Sequence, residues 1–260
     1  GGTGGGPIVF GNAIVNNVTC NGANNGSITV TSTGGGGNVT YTWSTTPTQV
    51  GSTIVGLDAG SYTVTAEAGG CTATATYTIT EPAALNVTVN ATALLCFGNS
   101  DGTATAVVSG GTGNYTYQWN PNNGQGPSIS NLPVGIVLVT VTDANGCSAT
   151  ASTIIGQSPA ISYNSQVNQP TCADLGFGTE ILTPRGGTGE MKLTIPTLGY
   201  DSTISMTGAD TAFVIPGIPT GNYDFTLCDE VGCCIEGFFF VEAGAADQSF
   251  DVATEPTSCY

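Results

Sequence analysis

The chain has 260 residues and a formal charge of −16, with 18 acidic residues against Arg185 and Lys192 and no histidine. It therefore lacks the basic footprint that nucleic acid or an anionic lipid surface requires. The missing imidazole removes Ser-His-Asp and Cys-His catalysis and His-ligated zinc, and no apolar run approaches the length needed to insert in a membrane.

Residues 1–12 form a glycine-rich arm ending in an apolar patch at Ile8, Val9 and Phe10. A first unit follows over residues 13–82. In it Cys20 precedes a turn at Asn24-Asn25-Gly26 and an alternating strand, Ser27-Ile28-Thr29-Val30-Thr31. A glycine turn at residues 34–37, an aromatic strand Tyr41-Thr42-Trp43 and the element Leu57-Asp58-Ala59-Gly60-Ser61-Tyr62 come next. After Cys71, the residues Ala73, Ala75, Tyr77 and Ile79 alternate with Thr72, Thr74, Thr76 and Thr78. That period of two predicts a strand with an apolar row for the core and a threonine row for water.

The second unit, residues 83–159, repeats the order: Cys96, Ser100-Asp101-Gly102, Gly110-Gly111-Thr112-Gly113, Tyr117-Gln118-Trp119, Leu132-Pro133-Val134-Gly135 and Asp143-Ala144-Asn145-Gly146-Cys147. The third, residues 160–244, has Cys172, Gly186-Gly187-Thr188-Gly189, Ile218-Pro219-Thr220-Gly221-Asn222-Tyr223 and Asp229-Glu230-Val231-Gly232-Cys233. It replaces the aromatic strand by Met191-Lys192-Leu193 and is longer (218 − 186 = 32 against 132 − 110 = 22). Residues 245–260 read as a strand-like tail, with Phe250 and Val252 leading to Cys259.

Cys20, Cys96 and Cys172 lie 76 residues apart (96 − 20, 172 − 96), as do Cys71 and Cys147 (147 − 71). Such a period marks a tandem array of one small unit, each near the size at which a hydrophobic core alone is marginal. One disulfide per copy is therefore expected, and register pairs Cys20 with Cys71, Cys96 with Cys147 and Cys172 with Cys233. Cys228, Cys234 and Cys259 are left as extra or intermolecular cysteines. Cys228 beside Cys233-Cys234 reads as part of a local disulfide rather than a thiolate metal site. With six or seven short strands per copy and no helical period, the fold class is all-β: three tandem immunoglobulin-like β-sandwich repeats. The disulfides imply an extracellular chain, and with no signal peptide it reads as a mature or processed form.

No catalytic constellation is found, and an enzyme is not expected. No cofactor is expected apart from calcium, for which Asp58, Asp101, Asp143 and Asp229 are the candidates, although no contiguous calcium-loop motif joins them. Candidate N-glycosylation sequons stand at Asn17, Asn25, Asn38, Asn86, Asn90 and Asn114. Ile8, Val9 and Phe10 at one end, and Phe250 and Val252 at the other, are candidate assembly strands for donation to a neighbouring copy.

The combination of a leading cysteine with a Gly/Asp turn, GGTG followed by Tyr-Thr-Tyr-Gln-Trp, Leu-x-x-Gly-x-Tyr and Asp-Ala-Asn-Gly-Cys resembles the SprB repeat of large surface adhesins of gliding Bacteroidetes. The resemblance covers roughly residues 13–244 and is closest in the second copy. It implies a secreted, cell-surface protein, exported by a type IX-like route, that serves adhesion or surface structure. It also implies O-glycosylation where Asp precedes Ser or Thr, which points to Ser202 and Thr211. The leading expectation is a structural subunit of a surface filament or adhesin whose partners are copies of itself. The alternative is a carbohydrate- or calcium-binding adhesion module of a larger surface protein, with surface polysaccharide as partner.

Overall fold

The computed structural model describes residues 5–170, 177–206 and 211–243. Cys172, Cys259, Phe250, Val252 and the tail at residues 245–260 lie outside them. The regular secondary structure of the described residues is almost all strand, broken by one short 3-10 turn at Pro196–Leu198, as the period-two patterning predicts.

The first copy contains β1 (Val9–Phe10), β2 (Ile14–Asn16), β3 (Gly26–Thr29), β4 (Ser32–Thr33), β5 (Thr40–Trp43), β6 (Thr53–Leu57), β7 (Gly60–Ala68) and β8 (Cys71–Ile79). The order β2-β3-β6 makes one sheet and β5-β7-β8 the other, all pairs antiparallel. This is the A-B-E and C-F-G arrangement of an immunoglobulin-type sandwich, with the buried tryptophan on its third strand. Along β8, Thr72, Thr74, Thr76 and Thr78 are exposed while the alternating row turns inward to the buried Ile79. Trp43 packs among Val18, Ile28, Ile54, Leu57 and Val64, and its Nε1–H donates to the Gly51 carbonyl at 2.9 Å. Among the described residues no disulfide lies against it, contrary to the expected pairing of Cys20 with Cys71.

The second copy contains β9 (Asn86–Thr92), β10 (Gly102–Ser109), β11 (Thr116–Asn120), β12 (Ser128–Leu132), β13 (Gly135–Thr142) and β14 (Ser148–Ile155), in sheets ordered β12-β10-β9 and β11-β13-β14. The third contains β15 (Ser162–Asn168), β16 (Gly178–Arg185), β17 (Glu190–Ile195), β18 (Tyr200–Ser205), β19 (Phe213–Ile218), β20 (Gly221–Asp229) and β21 (Cys234–Val241). Its sheets run β15-β16-β19 and β18-β17-β20-β21. The extra length of this copy holds β18, an added edge strand paired with β17 through Leu193↔Ser202.

Contacts divide the chain into two compact units: Gly1–Asn90, Thr105–Ile129 and Val137–Thr153 in one, Ala91–Ala104, Ser130–Ile136 and Ile154–Tyr260 in the other. The first copy belongs to the first unit and the third copy to the second. The core of the third copy is aromatic-rich, with Phe213, Tyr223, Phe225 and Phe239 among Leu182, Met191 and Leu193. Tyr62 donates its hydroxyl to the Asp58 carbonyl and Tyr223 to the Pro219 carbonyl, 2.9 and 2.8 Å, so each side chain pins the backbone turn four residues upstream. This is the tyrosine corner of the immunoglobulin plan. One core position breaks the pattern: Glu180 is fully buried on the inward row of β16, and neither carboxylate oxygen has a hydrogen-bond partner.

Candidate functional site

Among the described residues there are two kinds of cysteine turn. The leading turn holds Cys20 and follows β2. Val18 N–H donates to the Thr80 carbonyl, Thr80 N–H to Asn17 Oδ1, Gly22 N–H to Glu81 Oε2 and Asn21 Nδ2 to the Pro82 carbonyl, all within 3.2 Å. Asn25 closes the turn, accepting from Thr19 N–H and donating to Thr19 Oγ1. Cys20 is thus held beside residues 80–82, just beyond the end of β8. The second leading turn is tied alike: Leu94 N–H donates to the Gly156 carbonyl and Gly98 N–H to Gln157 Oε1.

The closing turn is a hairpin built on a buried aspartate. Asp143 Oδ1 accepts from the N–H groups of Asn145 and Cys147 and Oδ2 from that of Thr112, each at 2.9 Å. Burial works to raise the Asp143 carboxyl. Hydrogen bonds from the backbone amides of Thr112, Cys147, Asn145 and Gly146 outweigh it and hold the group below its ordinary value. Asp229 repeats the device in the third copy, accepting from Thr188 and Cys233 at 2.9 Å. In the first copy Ala68 stands in this place and Gly69-Gly70 make a shorter turn, with Ala68 paired to Cys71.

Two disulfides join leading turns to closing turns of different copies. Cys20 bonds Cys147 (Cα–Cα 5.7 Å) and Cys96 bonds Cys233 (5.5 Å). Cys228 bonds Cys234 across a β20–β21 pair, as a local disulfide. Cys71 is a free, half-buried thiol. The pairing expected within each copy is therefore overturned for Cys20 with Cys71, Cys96 with Cys147 and, since Cys233 is taken by Cys96, Cys172 with Cys233. The reason is geometric. Cys71 begins β8 while Cys20 sits past its end, so eight residue steps of extended strand, about 26 Å, separate them. A disulfide tolerates Cα atoms no more than about 7 Å apart. At the first junction Asn145 Nδ2 also donates to the Thr19 carbonyl at 2.9 Å.

The remaining candidates are placed as follows. Asp143 and Asp229 spend their oxygens on their own hairpins and on the amides of Thr112 and Thr188, Asp58 and Asp101 are exposed, and no group of three or more Cys, Asp or Glu that could hold a metal ion forms among the described residues. All six sequon asparagines are exposed, although Asn17 and Asn25 are engaged in the leading turn. Ser202 lies half-buried on the edge strand β18, and Thr211 half-buried ahead of β19. Ile8, Val9 and Phe10, read as a strand for a neighbour, are engaged within their own chain. Val9 and Phe10 pair with Thr33 and Ser32, and Ile8 is buried against Ala66 and Ala68.

Residues 12–48 and 88–124 carry the match that decides the family resemblance. Both stretches match the SprB repeat. They are offset by the same 76 residues (88 − 12, 124 − 48), and each SprB match takes in a leading cysteine and a buried tryptophan. Among solved structures, the chain is similar to three titin domains, I67–I69 in an E-to-A variant (12% identity, TM-score 0.41, 92% of this chain and 99% of that one). It is also similar to a structure from a 1.5-MDa bacterial ice-binding adhesin (15%, 0.42, 92% and 98%) and to the eight N-terminal immunoglobulin domains of Down syndrome cell adhesion molecule (14%, 0.37, 86% and 34%). The chain spans about a third of the length of the last. No curated protein matches it.

Proposed function

We propose that this chain is an extracellular structural protein of adhesion type, a segment of a surface filament or adhesin whose consecutive sandwiches are covalently stapled. The observation that carries this reading is that Cys20–Cys147 and Cys96–Cys233 each run from one copy to the next. A disulfide inside a copy stabilises that copy alone. A disulfide between copies keeps them joined when the linker is cut or pulled, which suits a tether exposed to shear and proteases. The disulfides fit an oxidising, extracellular setting, the SprB matches favour a surface protein, and no helix among the described residues is long and apolar enough to cross a membrane. Self-association and glycans at Ser202 and Thr211 belong to the same reading. Electron microscopy of material purified from cells tests it: regular filaments, or surface fibres on whole cells, support it, and isolated particles of one chain overturn the filament. An intact mass equal to that of the polypeptide overturns the glycans.

A second reading, carbohydrate binding, draws on a depression in the second copy lined by Tyr115, Tyr117, Gln118, Asn123, Gln125 and Thr140. Tyrosine rings beside amide and hydroxyl groups suit a sugar face. Binding to a glycan array that Tyr117→Ala abolishes would favour it over a purely structural role.

A further inference from the structure

Cys71 is the counterpart of two cysteines that are already oxidised. Cys71 begins β8, and Cys147 and Cys233 stand one residue before β14 and β21; each lies eight residues before the buried residue that ends the strand, Ile79, Ile155 and Val241 (79 − 71, 155 − 147, 241 − 233). All three lie on the inward-facing row. Cys147 and Cys233 are each bonded to the leading cysteine of the preceding copy.

The approach to Cys71 repeats as well. Gly35 N–H donates to the Gly6 carbonyl at 2.8 Å, as Gly111 does to Ala83 (2.8 Å) and Gly187 to Pro159 (3.2 Å). Gly34, Gly110 and Gly186, at φ of 91°, 74° and 72°, lie so close to Pro7, Ala84 and Ala160 that a side chain on any of them would strike that backbone. Residues 6–8 thus enter the first copy along the course that residues 83–85 and 159–161 take into the others. Where that course continues upstream, at residues 80–82, it carries the Cys20 turn.

We propose that Cys71 is the closing half of a further junction, taking into a disulfide the leading cysteine of another repeat, a cysteine set in a turn of the Cys20 or Cys96 kind. This deepens the structural reading above and rests on it. The partner repeat belongs either to a second copy of this chain or to a longer run of the same polypeptide. The two thiols react with a disulfide oxidant such as glutathione disulfide. One protein S–S bond forms, the oxidant's S–S bond breaks, and two glutathione thiols carry away both protons and both electrons. The closing turn of the first copy has no counterpart of Asp143 or Asn145, so the disulfide itself, without an asparagine hook on the partner's carbonyl, holds this junction.

Protein isolated from cells, alkylated without reduction, digested with pepsin and mapped by mass spectrometry tests the proposal. The expected result is a Cys71 peptide joined to a leading-turn peptide. If that peptide carries Cys172, since Cys20 and Cys96 are already bonded to Cys147 and Cys233, and a non-reducing gel shows a ladder, the partner is a second copy. If it comes from other sequence and reduction leaves the band's mass unchanged, the partner is a repeat of the same polypeptide. An alkylated Cys71, or Cys71 joined to glutathione or to a peptide of another kind, overturns the proposal. Cys71 also leans on Ile8, Ala66 and Ala68 as a small apolar side chain. Cys71→Ala is therefore measured too: the junction requires that it keep the melting temperature of the reduced chain and lose the cross-link. Filaments with alkylated Cys71 would refute this junction and leave the structural reading standing, and a Cys71 cross-link in material without filaments would do the opposite.

Discussion

Glu180 occupies a position that the other copies fill with apolar side chains. It lies two residues after Gly178, as Ile28 follows Gly26 and Ala104 follows Gly102, and each of these glycines sits against a core side chain at the end of its sheet, Val241, Ile79 and Ile155. Burial pushes the Glu180 carboxyl above its ordinary range. Replacement by leucine removes an unpaired buried polar group that costs about 1–3 kcal/mol and adds apolar burial of about 1.5–3 kcal/mol. Imperfect shape fit takes back about 1 kcal/mol. The expected net gain is about 1.5–5 kcal/mol, which raises the melting temperature of a domain this size by at least about 6 °C.

The pH dependence has a definite sign. A carboxyl whose folded value is raised leaves the protein most stable below its unfolded value, about 4.3, with stability falling as pH rises toward the folded value. The gain from Glu180→Leu is therefore larger at pH 7 than at pH 4. Scanning calorimetry at both pH values measures it. Fluorescence of Trp43 and Trp119, both outside the third copy, serves as a control that does not move. A Glu180→Leu variant that melts no higher than wild type, or whose advantage does not shrink at pH 4, would refute the reasoning.

Replacing Cys20 and Cys147 together by serine opens a loop of 127 residues and should lower stability by about 5 kcal/mol on the chain-entropy model; an unchanged urea midpoint by Trp43 fluorescence contradicts it. Asp143→Asn deprives the Thr112 amide of its acceptor, so hydrogen exchange at Thr112 and in the Cys147 hairpin speeds up. Because the Asp143 carboxyl is held low in the fold, its stabilisation is present above the unfolded value, about 3.9, and is lost as pH falls through the lower folded value. Urea unfolding between pH 2 and 6 should show this acid loss in wild type and not in Asp143→Asn. Trp43→Phe removes the donor to Gly51 and leaves a void, with an expected cost of about 1–3 kcal/mol in chemical unfolding.

Local patterns in the chain were sufficient for the strands. The alternation along Thr72–Ile79 predicted the face that β8 buries, and the glycine turns at residues 34–37 and 110–113 fall where backbone passes backbone. The added strand β18 was not legible, because Tyr200–Ser205 gains its strand character by pairing with β17. Nor was Glu180, whose burial follows from its place on the inward row of β16. The leading and closing turns were visible as sequence, but the roles of Asp143 and Asp229 were not. Their carboxylates read as calcium candidates until the hairpin amides were found pointing at them.

By itself the sequence determined the period of 76, the all-β class and the cysteine positions that recur, since these depend on neighbours along the chain and on a repeat that can be counted. Tertiary structure alone decided which sulfur meets which. Cys20 and Cys71 share a copy but stand at opposite ends of its sandwich, and only the folding of the next copy brings Cys147 within bonding distance of Cys20.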